Sequence, residues 1–532
     1  MEKFFNTAGP VNRPNHYKVD PLHRWDLDEM LILIKQEKYF LLHAPRQTGK
    51  TSSLLALQEY LNSKGDYLCV YANFEGAQAA RNDVKSGVQA IITEINGRFT
   101  ELLNIPNLQD EIIECYNKAE AESGLNSVLT YLAKKSPLPI VLLIDEIDAL
   151  IGDTLISVLR QIRSGYDKRP GSFPSTIILC GVRDIKDYRI HSTNAEIITG
   201  GSAFNIKAKS LRLGNFSKED IYNLYNQHTL ETGQKFEDAC FELIWRYTAG
   251  QPWLVNALAY EVTFEMKENR DRSVVITPAM IDDAKERLIL SRATHLDQLA
   301  DKLSEERVRR VILPMILGEN ATVDKDDEQY CEDLGLITKR ADGYQISNEI
   351  YREVIPRELT SAAQNEFLAR FKPDWMNSNG SINTNMIFTM FQDFWRENAG
   401  IWASHIKGYQ EAAPQLVTQA YLQRVANGNG SIAREYAILR KRTDLMLKWK
   451  YIENNETRYQ KIVIEIKTIN EKMNYEKVKA DALKQTAEYA KISGADEAHI
   501  FIFDRDESRT WRENPVTDSG EYDGISMKIW CM

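Results

Sequence analysis

Ala44-Pro45-Arg46-Gln47-Thr48-Gly49-Lys50-Thr51 follows an apolar run, Tyr39-Phe40-Leu41-Leu42, and leads into Ser52-Ser53-Leu54-Leu55-Ala56-Leu57. The first run reads as a strand and the last as a helix, so the octet is a tight loop at a helix N-terminus. Successive backbone N–H groups in such a loop turn toward a polyanion, a lysine reaches the terminal phosphates and a hydroxyl serves magnesium. Pro45, Arg46, Gln47, Thr48, Gly49, Lys50, Thr51 and Ser52 are therefore candidates for holding ATP, with Thr51 a ligand of Mg2+. The pattern asks for glycine at its first position, where this chain has Ala44; alanine fits only if that residue needs no positive φ.

Working outward, a second strand is expected at Tyr67–Tyr71, and apolar residues recur at helical spacing between Ala79 and Lys135, as at Val88, Ile91, Ile92 and Ile95. Ile140-Val141-Leu142-Leu143-Ile144 reads as a fully buried central strand that ends in Asp145-Glu146-Ile147-Asp148. A strand end of this kind holds Asp145 where it can serve magnesium and Glu146 where it can orient and deprotonate an attacking water. A further strand, Thr176–Gly181, delivers Arg183 to the same edge, either as a sensor of the terminal phosphate or as a surface arginine paired with Asp184. Ala208–Leu213 is the last strand expected, before a helix start at Ser217-Lys218-Glu219-Asp220. Alternating strands and helices of this kind predict a three-layer α/β nucleotide-binding core.

With 532 residues the chain exceeds a single core, and about three or four domains are expected. A hydrophobic share of 43% and a charged share of 27% are those of a folded protein. The net charge of −10 excludes a body that is basic overall, so any nucleic-acid contact has to be a local surface. Six scattered cysteines without a CxxC pair exclude a zinc ribbon and provide no disulfide framework, which suits the cytoplasm. No apolar signal core or membrane-length stretch is present, so neither export nor insertion is expected.

Arg307–Leu317 and Lys325–Asp333 read as helices, and Leu334–Thr338 with Gly343–Ser347 as a hairpin, together a winged-helix-like pattern. Its second helix carries Asp326, Asp327, Glu328, Glu332 and Asp333, which phosphates would repel; a structural or regulatory module is expected there rather than a DNA reader. Farther on, a helical pattern from Tyr409 to Val425 precedes Arg434-Glu435-Tyr436, then Arg442–Leu447, a polar turn at Asn454-Asn455, and Lys461–Lys467. If that turn closes a hairpin, Asp444 stands opposite Glu465, and Lys467 shares their face. Two carboxylates and a lysine can hold magnesium, polarise a phosphodiester and activate water. The charged residues Glu465 and Lys467 interrupt an otherwise aliphatic strand, which a purely solvated salt bridge leaves unexplained. Arg434, Arg440, Lys441, Arg442, Lys448 and Lys450 supply local positive charge.

The motifs APRQTGKTS, IVLLIDEIDAL, LCGVRD and TAGQPWLVN resemble those of AAA+ ATPases, more narrowly the bacterial AAA-like and STAND-related ATPases. The resemblance implies a helical lid in which Pro252 packs near the adenine, where a purely structural helix start after Gly250 is the alternative account, and an arginine finger from a neighbouring subunit of a homo-oligomer, with Arg163 and Arg169 as candidates. The region from Gln410 to Asp504 resembles the PD-(D/E)xK nuclease superfamily, with Thr443 in place of the proline. That resemblance implies Asp444 and Glu465 as metal ligands, Lys467 beside them, Gln485 on the following helix, and Glu411 or Glu435 as an additional contact. The expected architecture is a multidomain α/β chain. It has a leader (1–35), a three-layer P-loop ATPase core (36–215), a helical lid (216–300), a winged helix (301–360), a helical connector (361–407) and an αβ nuclease fold (408–532). The expected function is ATP-controlled, Mg2+-dependent cleavage of nucleic acid, DNA in preference to RNA, in bacterial defence against foreign DNA. A signalling scaffold with a binding-only C-terminal domain and a nucleic-acid-remodelling motor are the alternatives.

Overall fold

The computed structural model describes residues 3–11, 14–184, 189–191, 197–199, 204–291, 302–303, 305–317, 323–340, 343–359, 375–405, 414, 418, 421–422, 430–438, 441–453, 456–469, 473–504 and 517–532. They form two compact units: residues 1–295 with 322–349, and residues 296–321 with 350–532.

Five parallel strands form the sheet of the first unit: β1 (Tyr39–His43), β2 (Leu68–Asn73), β3 (Ile140–Asp145), β4 (Thr176–Gly181) and β5 (Lys207–Arg212), in the order β2-β3-β4-β1-β5. Alternate residues of each strand go to opposite faces, as the pleat requires. Leu41, Val70, Leu142 and Ile177 join one core with Ile91, Ile95, Val128 and Leu159, which come from helices Val84–Leu103, Ala121–Lys135 and Gly152–Ser164. Phe40, Leu42, Leu143 and Ile178 join a second with Met30 and Ile34 of Leu27–Lys35 and Leu54, Leu57 and Leu61 of α1 (Lys50–Lys64). Continuous aliphatic runs are the sequence trace of strands buried on both faces.

Helices Lys218–Thr232, Asp238–Thr248, α2 (Pro252–Tyr260) and Pro278–Leu290 follow the sheet. Ser217 closes a capping box with Asp220, each side chain serving the other's backbone. The leader is more than a polar lead-in. Phe4–Phe5 pairs in parallel with His16–Tyr17, and the rings of Phe5 and Tyr17 pack with Tyr225 and His228 in a buried aromatic cluster. Residues α3 (Lys325–Asp333) and the hairpin Ile337–Arg340/Gly343–Ile346 also belong to this unit.

The second unit holds a six-stranded mixed sheet: β6 (Gly430–Ile438), β7 (Lys441–Glu453), β8 (Glu456–Ile469), β9 (Glu497–Asp504), β10 (Thr517–Tyr522) and β11 (Ile525–Cys531), in the order β6-β7-β8-β9-β11-β10. β7 and β8 are antiparallel from Leu445↔Ile464 to Glu453↔Glu456, the register expected from a turn at Asn454-Asn455. Helix α4 (Tyr475–Ser493) crosses from β8 to the parallel β9. Leu447, Trp449, Ile464, Phe501 and Trp530 face Phe388 and Phe391 of the helix Thr384–His405. Ile500, Ile502 and Ile529 face Ala482, Ala487 and Ala490 of α4.

The helix expected from Tyr409, with Glu411, falls mostly outside the described residues, as does Arg440. Glu435 and Arg434 lie on β6, and Lys441, Arg442 and Asp444 on β7, but their side chains are also outside that description. No helix among the described residues is long and apolar enough to cross a membrane.

Candidate functional site

Gly49 precedes α1 in the left-handed region (φ 88), and no side chain caps that helix. The first N–H groups of a helix lack intrahelical partners, so an uncapped N-terminus is a ready anion site. Ala44 is not among the positive-φ residues, whereas Gln47 is (φ 56), so alanine at the first position costs no strain. The Lys50 ammonium, 5% exposed, donates to the carbonyls of Ala44 and Pro45 at 3.2 Å each. Thr51 Oγ1 donates to Asp145 Oδ2 at 2.7 Å, and Tyr71 Oη donates to the same oxygen at 3.0 Å. Asp145 is fully buried, and its Oδ1 accepts from the backbone N–H of Glu146 at 3.0 Å.

Glu146 itself adopts φ 54 just beyond the strand end. Burial raises its carboxyl above the ordinary range; Lys50 and Arg46 oppose this, while Asp148 and Asp145 add to it. A carboxylate held in this way is a stronger base than one in water. An uncapped helix start, a buried ammonium and a hydroxyl–carboxylate pair fit a triphosphate, with Mg2+ beside Thr51 and Asp145. When bound, the metal would neutralise phosphate charge; Lys50 would meet that charge on the protein side.

The N-terminal segment and the start of α2 flank this loop. Val11 N–H donates to Ser52 Oγ at 3.0 Å, Ser53 Oγ donates to Pro21 O at 3.2 Å, and Gln251 Nε2 donates to Gln47 O at 3.5 Å. Pro252 occupies the first turn of α2, where its missing N–H costs nothing, and Gln251 caps that helix. Arg24, which the sequence did not single out, donates to the carbonyls of Thr48 and Gly214 and lies over the Phe216 ring at 4.9 Å. A Cβ on Gly49 would come within 2.9 Å of its guanidinium. Burial pulls the Arg24 pKa down to about 10, still charged at neutral pH. Hydrogen bonds from a charged group are worth about 1.5–3 kcal/mol, so Arg24→Ala is expected to weaken nucleotide binding at least tenfold. Titration with a fluorescent ATP analogue checks this; unchanged affinity would make Arg24 a bystander.

The other arginines divide. Arg183 stacks on Tyr330 of α3, with 4.8 Å to the ring centroid, and Asp184 pairs with Lys207 at 2.5 Å and accepts from Ser210. Arg169 stacks on Tyr166 at 3.5 Å and on Tyr39 at 4.9 Å, and it donates to the carbonyls of Tyr166, Glu37 and Ser175. It buttresses the start of β1. Arg163, in the last turn of its helix, is exposed.

A family model described as an AAA-like domain matches residues 28–356, more than half of the chain. The chain belongs to the AAA-like family. Its membership implies ATP as the ligand of the loop described above, and the chain carries a P-loop ATPase domain. Among solved structures, a Walker-type ATPase of Pyrococcus abyssi is 14% identical, with 66% of this chain and 99% of that one covered and a TM-score of 0.44. Cdc6p from Pyrobaculum aerophilum is 19% identical, with 66% and 97% covered and a TM-score of 0.36. The RuvB Holliday junction branch migration motor of Thermotoga maritima is 14% identical, with 62% and 93% covered and a TM-score of 0.32. No curated protein matches the chain.

The six-stranded sheet lies beyond the AAA-like domain and carries a second polar site. Glu465 is 4% exposed, in a strand of aliphatic neighbours. Lys467 Nζ donates to Glu465 Oε1 and to Gln485 Oε1 of α4, at 2.8 Å each. Three residues singled out from the sequence therefore meet on the α4 face of β8. The paired register of β7 with β8 runs from the turn to Leu445↔Ile464; Asp444 is the next residue of β7, and its side chain lies outside the described residues.

A polar network that the sequence reading missed occupies the other face. Trp530 Nε1 donates to His499 Nδ1 at 3.2 Å, which puts the imidazole proton on Nε2, 3.3 Å from Glu497 Oε2. Glu497 also accepts from Gln460 at 2.7 Å and from Thr384. Burial alone would raise its carboxyl, but the bonds from His499, Thr384 and Gln460 together hold it below the usual value. His499 inside the otherwise apolar run Ala498–Phe503, with Glu497 just before it, was the available signal. The network ties the start of helix Thr384–His405 to the sheet.

Proposed function

We propose that the AAA-like domain binds and hydrolyses ATP to control Mg2+-dependent cleavage of nucleic acid by the C-terminal sheet. The observation that carries the second half is the Glu465–Lys467–Gln485 cluster, in which a buried carboxylate and an ammonium share one face of β8. With Asp444 of β7 added as the proposed second carboxylate, the donor set suits one or two magnesium ions. These would polarise a phosphodiester and lower the pKa of water, while Lys467 offsets developing charge. This arrangement supports a PD-(D/E)xK-type nuclease fold, with Glu411 or Glu435 as an additional ligand. DNA is the preferred substrate over RNA. In the ATPase half, Glu146 orients water, Lys50 holds the phosphates, Pro252 packs near the adenine, and Arg183 reads the terminal phosphate once it leaves Tyr330. A homo-oligomer in the cytoplasm, with Arg163 as the finger of a neighbouring copy, suits defence against foreign DNA.

Incubating the full chain with plasmid and short single strands, with Mg2+ and with ATP, ADP or neither, tests this reading. Nucleotide-dependent cleavage that EDTA abolishes is the expected result. Intact substrate under every condition favours the alternative, an ATP-switched scaffold whose C-terminal unit only binds a partner.

A further inference from the structure

β7 and β8 extend past the start of β9, which joins β8 only from Ile462 onward. The protruding ribbon has two unlike faces. On one, Trp449 and Tyr451 belong to the core or pack against it, and Trp449 Nε1 donates to Gly380 O at 2.9 Å. The other carries the opposed pairs Ile452↔Thr457, Lys450↔Tyr459 and Lys448↔Lys461, followed by Met446↔Val463, which Tyr489 of α4 covers. Beyond that cover the face is open: Ile452 is 70% exposed, Tyr459 is 44% exposed, and Lys448 and Lys450 are exposed.

Three features of this face belong together. All its charges are positive, because Glu453, Glu456 and Arg458 alternate onto the other face. Two lysines stand directly across from each other, a pairing that destabilises a ribbon in the absence of an anion. Lys448 leans over the Tyr459 ring at 4.7 Å, and Lys461 Nζ donates to Ser493 O at 3.2 Å, where α4 ends. Each lysine thus already borrows a weak partner. Large exposed apolar groups among the lysines are of no use to the phosphates of a closed duplex, whose bases are stacked inside. They suit a strand with free base faces, which aromatic side chains stack and lysines follow along the backbone.

We propose that this ribbon face is a docking track for single-stranded nucleic acid, with Lys448, Lys450 and Lys461 on phosphates and a base against Tyr459. The same face of β8 continues beneath Tyr489, through the buried Val463, to Glu465 and Lys467, so the open track and the second polar site lie on one side of the sheet with the α4 cover between them. The proposal rests on the reading of that unit as acting on nucleic acid, and it is tested without cleavage.

The experiment measures fluorescence anisotropy of the full chain in EDTA with labelled DNA or RNA of about 20 nucleotides, longer than the roughly 4–16 that one single-strand-binding fold occupies. The same sequence as duplex is the comparison. Wild type is expected to bind the single strand, as DNA or RNA, about tenfold or more tighter than the duplex. Lys448→Ala/Lys450→Ala should weaken this about tenfold or more and reduce the slope of log affinity against log salt by about 1.4, for two lost phosphate contacts. Tyr459→Ala should weaken binding roughly tenfold with the slope unchanged. Arg458→Ala, on the opposite face, should bind as wild type. Wild-type affinity and slope in the double lysine variant, or duplex bound as tightly as the single strand, would overturn the proposal. If binding behaves as expected and Mg2+ gives no cleavage, only the nuclease reading fails. Cleavage by a protein that the lysine changes leave unaffected fails only the track.

Discussion

Glu146→Gln is expected to keep ATP bound and to lose turnover by about 10²–10⁴-fold, the usual contribution of a positioned general base. Asp145 is committed to Thr51 and Tyr71, whereas Glu146 lies past the strand end, beside Lys50 and Arg46. Burial holds its carboxyl above the ordinary glutamate value. The acid limb of the ATPase rate in wild type should accordingly lie above that value and vanish with the side chain. The sign for stability follows. A carboxyl whose pKa is raised by folding favours the folded state at low pH, and that contribution is lost as pH rises through the folded value. Glutamine has no such loss, so the variant should melt higher than wild type near about pH 8 and alike near about pH 4. Phosphate release, nucleotide retention and thermal melts read these outcomes. A variant that still hydrolyses ATP at the wild-type rate would move the base to another residue.

The second large effect belongs to the C-terminal unit. On the proposed nuclease reading, Glu465→Ala is expected to reduce Mg2+-dependent cleavage by at least about 10²-fold, because the change removes the proposed metal ligand and leaves Lys467 without its buried carboxylate partner. Lys467→Ala should lose a similar amount, and Gln485→Ala less, since it is an exposed partner of Lys467 alone. Single-strand binding in EDTA should remain near wild type in Glu465→Gln, which keeps the side-chain volume and separates lost chemistry from lost folding. Cleavage by Glu465→Gln at the wild-type rate would remove Glu465 from any metal site.

Much of the core was legible because strands buried on both faces have to be continuously aliphatic, and Ile140–Ile144 and Thr176–Gly181 are. The hairpin register followed from a single turn, since antiparallel pairing is fixed by residues next to it in sequence. What escaped depends on long-range contact. Phe5 and Tyr17 stand in short ring pairs, Phe4-Phe5 and His16-Tyr17, within a polar segment without periodicity, so their burial against Tyr225 and His228 left no pattern. Arg24 is a lone arginine, and only the fold places it under the Thr48 carbonyl. The stacking of Arg183 on Tyr330 joins residues far apart in the chain. Arg169, a finger candidate by position, is instead drawn between Tyr166, three residues before it, and Tyr39, which only folding brings alongside. His499 and Glu497 are polar positions in a hydrophobic strand, a cue of the same kind that did single out Glu465.

β8 is laced on both sides, antiparallel to β7 and parallel to β9. Shifting it by a single residue would tear two ladders at once and would exchange Glu465 for Ile464 or Ile466 on the α4 side. Length changes in this region should therefore be confined to the tip near Asn454 and Asn455, while a one-codon deletion between Ile462 and Lys467 should unfold the sheet. Natural variation and engineered loop grafts alike have the tip as their free port of entry.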